Sequence, residues 1–186
     1  ARARVQALRA RFDAVLVGGG TARADDPLLT VRSFTPLRAP VRVIAAARLD
    51  LPRDRLAGSV GQAPLWLVHG PDAPPEARDW WRATGAELIE IAQGDQGLDP
   101  QALLQALGAA GLTRVFCEGG GRFAAALMRA GLVDELIGFT AGVVLGGDGR
   151  AALGPLDLTA LEAAPRYQLS ATEVIGGDIL HRWRRG

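Results

Sequence analysis

Two short apolar runs end in glycines, and that repeated arrangement restricts the chain to few architectures. Phe12-Asp13-Ala14-Val15-Leu16-Val17 reads as a buried strand and runs into Gly18-Gly19-Gly20. Val115-Phe116-Cys117-Glu118 runs in the same way into Gly119-Gly120-Gly121, and then into the helix-forming stretch from Arg122 to Leu127. A glycine-rich turn at the C-terminal end of a strand is where open α/β sheets bind ligands, because backbone N–H groups there approach a phosphate without side-chain obstruction. Two such units in one chain suggest a shared extended ligand, such as a dinucleotide.

The residues after the first glycines are chemically dense. Thr21 offers a hydroxyl, Asp25 and Asp26 offer adjacent carboxylates, Pro27 turns the chain and Arg32 offers a bidentate anion fork. The plainer reading of Asp25-Asp26-Pro27 is a solvated turn, since these residue types favour turns for local reasons. The second triplet precedes a helix, where unsatisfied N–H groups and the dipole favour a phosphate. Its plainer reading is a close-packed turn that needs glycine for φ alone, and it is not the Gly-x-Gly-x-x-Gly fingerprint.

With 186 residues, 48% hydrophobic and 22% charged, the chain reads as one globular domain, 1–186. A net charge of +1 gives no electrostatic case for nucleic acid or an anionic membrane. Every one of the 21 basic residues is Arg, and neither Lys nor Asn occurs. A Walker-type phosphate loop and Schiff-base chemistry both need Lys, so both are excluded. The single Cys117 forms no internal disulfide or thiolate zinc site, and His69 and His181 lie far apart without a ligand pattern, so no metal site is expected. No apolar run is long enough to span a bilayer and no signal-peptide core is visible, so the expected location is the cytoplasm.

Taken in order, Ala1 to Ala10 suits an amphipathic helix, with Val5 and Leu8 among arginines. Strands are predicted at Phe12–Val17, Val41–Ala46, Pro64–His69, Ala86–Ile91 and Arg114–Cys117. Pro74-Pro75-Glu76 opens a helix that Gly85 ends. Asp99-Pro100 opens another, with Leu103, Leu104 and Leu107 as its buried stripe. A third helix runs from about Arg122 to Ala130, with Gly131 as its left-handed cap. Strands then follow in succession at Glu135–Val144, Arg166–Val174 and Asp178–Trp183, the last two joined by a hairpin turn at Ile175-Gly176-Gly177. The pattern predicts an α/β fold: a mainly parallel sheet with helices on both faces and an antiparallel C-terminal hairpin at its edge.

The run Gly-Thr-x-x-Ala-Asp-Asp-Pro-x-Leu-Thr-Val-Arg from Gly20 to Arg32, the stretch Cys117–Leu127, and the segments Gly131–Leu136 and Val144–Asp148 resemble one family over nearly the whole chain. It is the reductase domain of riboflavin biosynthesis, the C-terminal half of the bifunctional pyrimidine deaminase/reductase, with a dihydrofolate-reductase-like fold. The resemblance implies NADPH as cofactor and reduction of 5-amino-6-(5-phosphoribosylamino)uracil to its ribityl form. Family members carry an earlier strand and a substrate loop before the helix at Ala1 to Ala10, so the expectation is either that those residues lie outside this sequence or that the sheet is incomplete. A zinc deaminase domain is expected to be fused to the chain or paired with it. Relatives commonly dimerise, so a homodimer is expected. The alternatives are a related reductase of this fold acting on another pteridine or pyrimidine, and a non-catalytic nucleotide-binding module.

Site residues follow from the same resemblance. Thr21 and Asp25 match cofactor contacts, and Asp25 is the catalytic candidate, able to orient substrate or relay a proton. Gly120, Gly121, Arg122, Phe123, Ala124, Ala125 and Ala126 match the stretch that binds the NADPH phosphates. Leu29, Arg32 and Arg9 match positions holding the phosphoribosyl substrate, a task suited to the permanently charged fork of Arg. For Arg9 a solvated helix face is an equally plain reading. Glu118 matches a glutamate that accepts from the pyrimidine ring N–H groups, and Cys117 reads as a small buried hydrophobe. Where many relatives have Asp-Ser after the second strand, this chain has Ala46-Ala47-Arg48. Arg48 is expected to pair with the 2′-phosphate of NADPH in place of the family serine.

Overall fold

The computed structural model describes residues 1–32, 34–94 and 97–186. They divide into two compact units, one of residues 3–120 and one of residues 1–2 with 121–186.

The first unit is built on a parallel sheet. Its strands are β1 (Ala14–Gly18), β2 (Val41–Ala45), β3 (Leu65–His69), β4 (Glu87–Glu90) and, after a two-residue pair β5 (Gln93–Gly94) and β6 (Gly97–Leu98), β7 (Val115–Gly119). The order across the sheet is β4-β3-β2-β1-β7, all five parallel. β1 and β2 are buried at every position, as apolar strands covered on both faces must be. Helices α1 (Arg2–Arg9), α2 (Gly19–Asp25), α3 (Arg55–Gly58), α4 (Pro75–Ala83) and α5 (Pro100–Ala109) punctuate the strands. α5 starts where its sequence predicts: Asp99 accepts from the backbone N–H groups of Gln101 and Ala102 at 2.7 and 3.1 Å. Leu103 and Leu107 are fully buried, whereas Leu104 is only half-buried.

The order of connections matters for function. From β1 the chain moves outward through β2, β3 and β4, and then returns to place β7 on the other side of β1. The C-terminal ends of β1 and β7 therefore flank the point where the strand order reverses, the crevice in which open α/β sheets bind ligands. At the opposite end, the Asp13 carboxylate ties the same two strands. It accepts from the Thr113 hydroxyl at 2.8 Å and from the backbone N–H groups of Thr113 and Arg114 at 3.1 and 2.8 Å.

One buried residue is not apolar. Arg42, in the middle of β2, is fully buried and has no carboxylate partner among the described residues. Its guanidinium donates to Ser59 Oγ at 2.6 Å and to the carbonyls of Ser59, Ala63 and Leu28 at 2.9, 2.6 and 3.3 Å. The charge is thus spread over main-chain dipoles that converge from two loops.

The second unit holds α6 (Gly121–Arg129) and the strands β8 (Glu135–Ala141), β9 (Tyr167–Ile175) and β10 (Asp178–Arg185). β9 and β10 form the predicted hairpin, with Gly176 at φ +63°. The hairpin bonds to β8, in a three-stranded antiparallel sheet of order β8-β10-β9, rather than edging the parallel sheet. β8 also stops at Ala141, short of the expected Val144: Gly142 follows it, and Val143 and Val144 are exposed with no strand to pack on among the described residues. Gly138 faces His181 across the β8–β10 pair, and the imidazole occupies the space a Cβ would need. Gly131 adopts φ +69° after α6, as its capping role predicts.

Candidate functional site

The first glycine cluster forms no separate turn. β1 ends at Gly18, and Gly19 and Gly20 are already the first turn of α2. A Cβ on Gly19 would stand 3.0 Å from Ala46 Cβ, so the glycine lets α2 close onto the end of β2. At the end of β7, Gly120 lies at φ +80°, and a Cβ there would stand 2.8 Å from Thr21 Oγ1. The Thr21 hydroxyl therefore sits against the main chain of Gly119 and Gly120, joining the two glycine stretches at the switch point of the sheet.

The adjacent carboxylates divide their tasks. Asp26, in a left-handed conformation at the end of α2, accepts from the backbone N–H groups of Arg55 and Leu56 at 2.8 and 3.0 Å. It thereby caps the start of α3 from a distant part of the chain. Asp25 is exposed and has no hydrogen-bond partner among the described residues. As residue types the two carboxylates are equivalent, and only the family resemblance selects Asp25 over Asp26.

Arg9 and Glu118 are bonded to each other. Arg9 Nε and Nη2 donate to the two Glu118 oxygens at 2.6 Å each, and Arg9 Nη1 donates to the Thr30 carbonyl at 2.9 Å. The side chains are 11% and 15% exposed, so the reading of Arg9 as a solvated helix face is corrected. Glu118 occupies a β-bulge: Leu16 pairs with Cys117 and Val17 with Gly119. The extra residue breaks the alternation of side chains, the usual way a strand re-aims one.

The remaining first-unit residues are less concentrated. Leu29 is buried in the core with Val17, Ala22 and Ala46, at φ +54°, a strained conformation for a branched side chain. Its side chain is thus committed to packing, and only its backbone is left for a ligand. The Arg32 backbone N–H donates to Gln6 Oε1 at 2.8 Å, and its side chain is exposed. With Thr30, Phe34, Gln62 and Ala63 it lines a cleft of about 410 Å³. Arg48 is exposed in the turn after β2. That turn is fixed to β3 through Ala46 N–H to the Val68 carbonyl, 2.9 Å, and Gly70 N–H to the Ala47 carbonyl, 3.0 Å. Burial pushes the Cys117 thiol above its ordinary value, in keeping with a packing role.

Gly121 to Ala126 begin α6 in the second unit. Gly121 is packed against the segment 151–154: its carbonyl accepts from Gly154 N–H at 2.9 Å, and a Cβ would stand 3.1 Å from the Ala152 carbonyl. Ala125 is buried and Arg122 exposed. Close packing at Gly119 and Gly121 and a positive φ at Gly120 give each glycine of the triplet a structural reason of its own. Gln6, Asp26 and Arg42 hold structural roles that sequence reasoning missed. A glutamine three residues before Arg9 on an otherwise arginine-rich helix face is the available signal for the first.

A parallel α/β sheet with a hydroxyl and glycine main chain where its strand order reverses is an open α/β fold, the class that binds ligands in that crevice. The family model for the RibD C-terminal domain matches residues 1–181, and the chain belongs to that family. It is 32% identical to the riboflavin biosynthesis protein RibD of Escherichia coli over 192 residues, covering 96% of this chain and 50% of that protein. It is 29% identical to the 2,5-diamino-6-ribosylamino-4(3H)-pyrimidinone 5′-phosphate reductase of Aquifex aeolicus, covering 95% and 78%. Among solved structures, RibD of Acinetobacter baumannii superposes with a TM-score of 0.81 at 26% identity, over all of this chain and 50% of that one. The chain spans about half the length of the RibD relatives it matches.

Proposed function

We propose that the chain is the NADPH-dependent reductase of riboflavin biosynthesis, acting on 5-amino-6-(5-phosphoribosylamino)uracil. The observation that carries this reading is the switch point itself: Thr21 seated on Gly119 and Gly120, with exposed Asp25 at the end of the helix that starts there. The Aquifex relative is named as a reductase of a ribosylaminopyrimidine phosphate.

The residues present fit NADPH. Gly120 keeps main chain rather than side chain at the crevice, and Arg48 stands exposed after the second strand. That is the region where dinucleotide folds discriminate the ribose 2′ group. NADPH held there would supply hydride to the ribose anomeric carbon, whose bond to the ring oxygen breaks as that oxygen takes up a proton from solvent. Thr21 and Asp25 orient the amide and ribose around the reacting ring, and the start of α6, from Gly121 to Ala126, holds phosphates. Arg32 holds the substrate phosphate, and Glu118, kept in place by Arg9, accepts from the pyrimidine N–H groups with its free lone pairs.

The same reading makes the protein a cytoplasmic homodimer, with a deaminase domain fused or associated. Leu169, Val174, Ile179 and Trp183 share one face of the three-stranded sheet and are 53%, 78%, 47% and 36% exposed. An apolar face of that kind on an antiparallel sheet suits a second copy of the chain. A monomer by light scattering at micromolar concentration would remove the dimer.

The test of the activity is optical. NADPH oxidation is followed on adding freshly deaminated phosphoribosylaminopyrimidine. Turnover that disappears in Asp25→Ala is expected. Absence of turnover, repeated with a deaminase domain supplied, would turn the assignment toward a reductase of another pteridine or pyrimidine, and tight NADPH binding without any turnover toward a binding module.

A further inference from the structure

Helix α1 carries one buried polar side chain that no ligand-binding role accounts for. Gln6 is 9% exposed, on a helix whose other polar residues are arginines. Burying a carboxamide is unfavourable unless it is hydrogen-bonded, and the Gln6 Oε1 accepts from the Arg32 main-chain N–H at 2.8 Å. One turn further along, Arg9 Nη1 donates to the Thr30 carbonyl at 2.9 Å. Residues three apart share a helix face, so α1 grips the segment 30–32 at both ends.

Among the described residues these are the hydrogen bonds that segment makes: it lies in no helix or strand, and it follows Leu29, which stands at φ +54°. Arg32 itself is exposed and makes no ion pair among the described residues. Its guanidinium is carried on four rotatable bonds from a Cα whose place depends on the bond to Gln6.

We propose that Gln6 is a positioning residue for Arg32: its carboxamide holds the Arg32 main chain where the guanidinium meets the substrate phosphate. This rests on the reading of Arg32 as the phosphate ligand of the reductase. In that scheme Gln6 touches no reacting atom, and its loss weakens capture of the phosphorylated substrate while NADPH binding and the hydride step stay as they are.

Steady-state kinetics on Gln6→Leu, Gln6→Glu, Arg32→Ala and the Gln6→Leu/Arg32→Ala double variant test this, using the phosphoribosyl substrate and its dephosphorylated riboside. Gln6→Leu is expected to raise KM for the phosphorylated substrate about fivefold, the worth of one buried hydrogen bond, with KM for NADPH, KM for the riboside and kcat unmoved. Gln6→Glu keeps an acceptor at the same place and restores most of the loss. In the Arg32→Ala background Gln6→Leu adds nothing, because its effect runs through Arg32. Equal effects on phosphate and riboside, a parallel rise in KM for NADPH, or a full additional effect without Arg32 would overturn the proposal. If Gln6→Leu does not fold, Gln6→Met, which removes the acceptor at nearly constant length, takes its place. A wild-type chain without turnover defeats the reductase reading and this proposal together; a wild type that turns over beside a Gln6→Leu variant with unchanged KM defeats this proposal alone.

Discussion

The Arg9 guanidinium and the Glu118 carboxylate meet in a two-pronged pair, 2.6 Å at both contacts, although 109 positions separate them in the sequence. Removing one partner leaves the other charge in a site where both are less than one-sixth exposed. Arg9→Met or Glu118→Leu is therefore expected to cost about 3 kcal/mol each in urea unfolding, while the double replacement costs well under their sum. Additive losses would show that the two side chains do not stabilise each other.

Asp25 and Asp26 are neighbours in sequence and opposites in environment. Asp26→Ala removes two hydrogen bonds at the start of α3 and is expected to cost about 1–2 kcal/mol of stability. Asp25→Ala exposes nothing and breaks no bond among the described residues, so unfolding should stay within about 0.5 kcal/mol of wild type while turnover falls. Urea titration beside NADPH oxidation separates the two; a stability loss at Asp25 equal to that at Asp26 would refute the division.

The elements legible in the sequence are those whose signals are local. β1, β3, β7 and the cap of α5 are marked by an apolar run, a flanking glycine or an Asp-Pro pair. What escapes depends on contacts between distant positions. Nothing local marks Arg42 as a buried residue whose acceptors lie in two other loops, or Gln6 as the acceptor for Arg32, 26 positions away. The bulge at Glu118 is set by the register of β1 against β7, which no periodicity in either strand reveals. The glycines after β1 mislead for a related reason: a triplet reads as a turn, but closure of α2 onto Ala46 needs a residue without a side chain inside a helix. The pairing of β8 with β10 crosses the long stretch 142–177, β9 included, beyond the reach of a hairpin signal.

Acid should unfold the protein partly through Asp13. The hydrogen bond from the Thr113 hydroxyl, aided by the main-chain N–H groups of Arg114 and Thr113 and opposed by burial, holds this carboxyl below its ordinary value of 3.8. The native state then binds its proton less readily than the unfolded chain, so this contribution is complete above about pH 4 and disappears as pH falls through the lowered native value. Asp13→Asn should be less stable than wild type at pH 7, with the gap closing in urea titrations below pH 3.8. A gap that stays constant to the lowest pH would assign the loss to geometry alone.

In the proposed reductase, Arg48 is the residue assigned to cofactor choice. It stands at the C-terminal end of β2, beside β1, in a turn that is pinned on both sides: the main chain of Ala46 and Ala47 is bonded to β3 and its C-terminal edge, and Leu49 is buried at φ +56°. The backbone is fixed while the guanidinium is exposed and without an ion pair among the described residues, the combination expected of a side chain kept for an external anion. NADPH differs from NADH by the 2′-phosphate, and a solvent-facing Arg–phosphate contact is worth about 1.4 kcal/mol, or a factor of ten. Arg48→Ala should therefore lower the NADPH over NADH preference in kcat/KM about tenfold through weaker NADPH binding, leaving NADH kinetics in place, and Arg48→Lys should retain part of it. A preference that survives Arg48→Ala unchanged would mean that another cation reads the phosphate, and would leave the Ala46-Ala47-Arg48 departure from the family pattern without a compensating role.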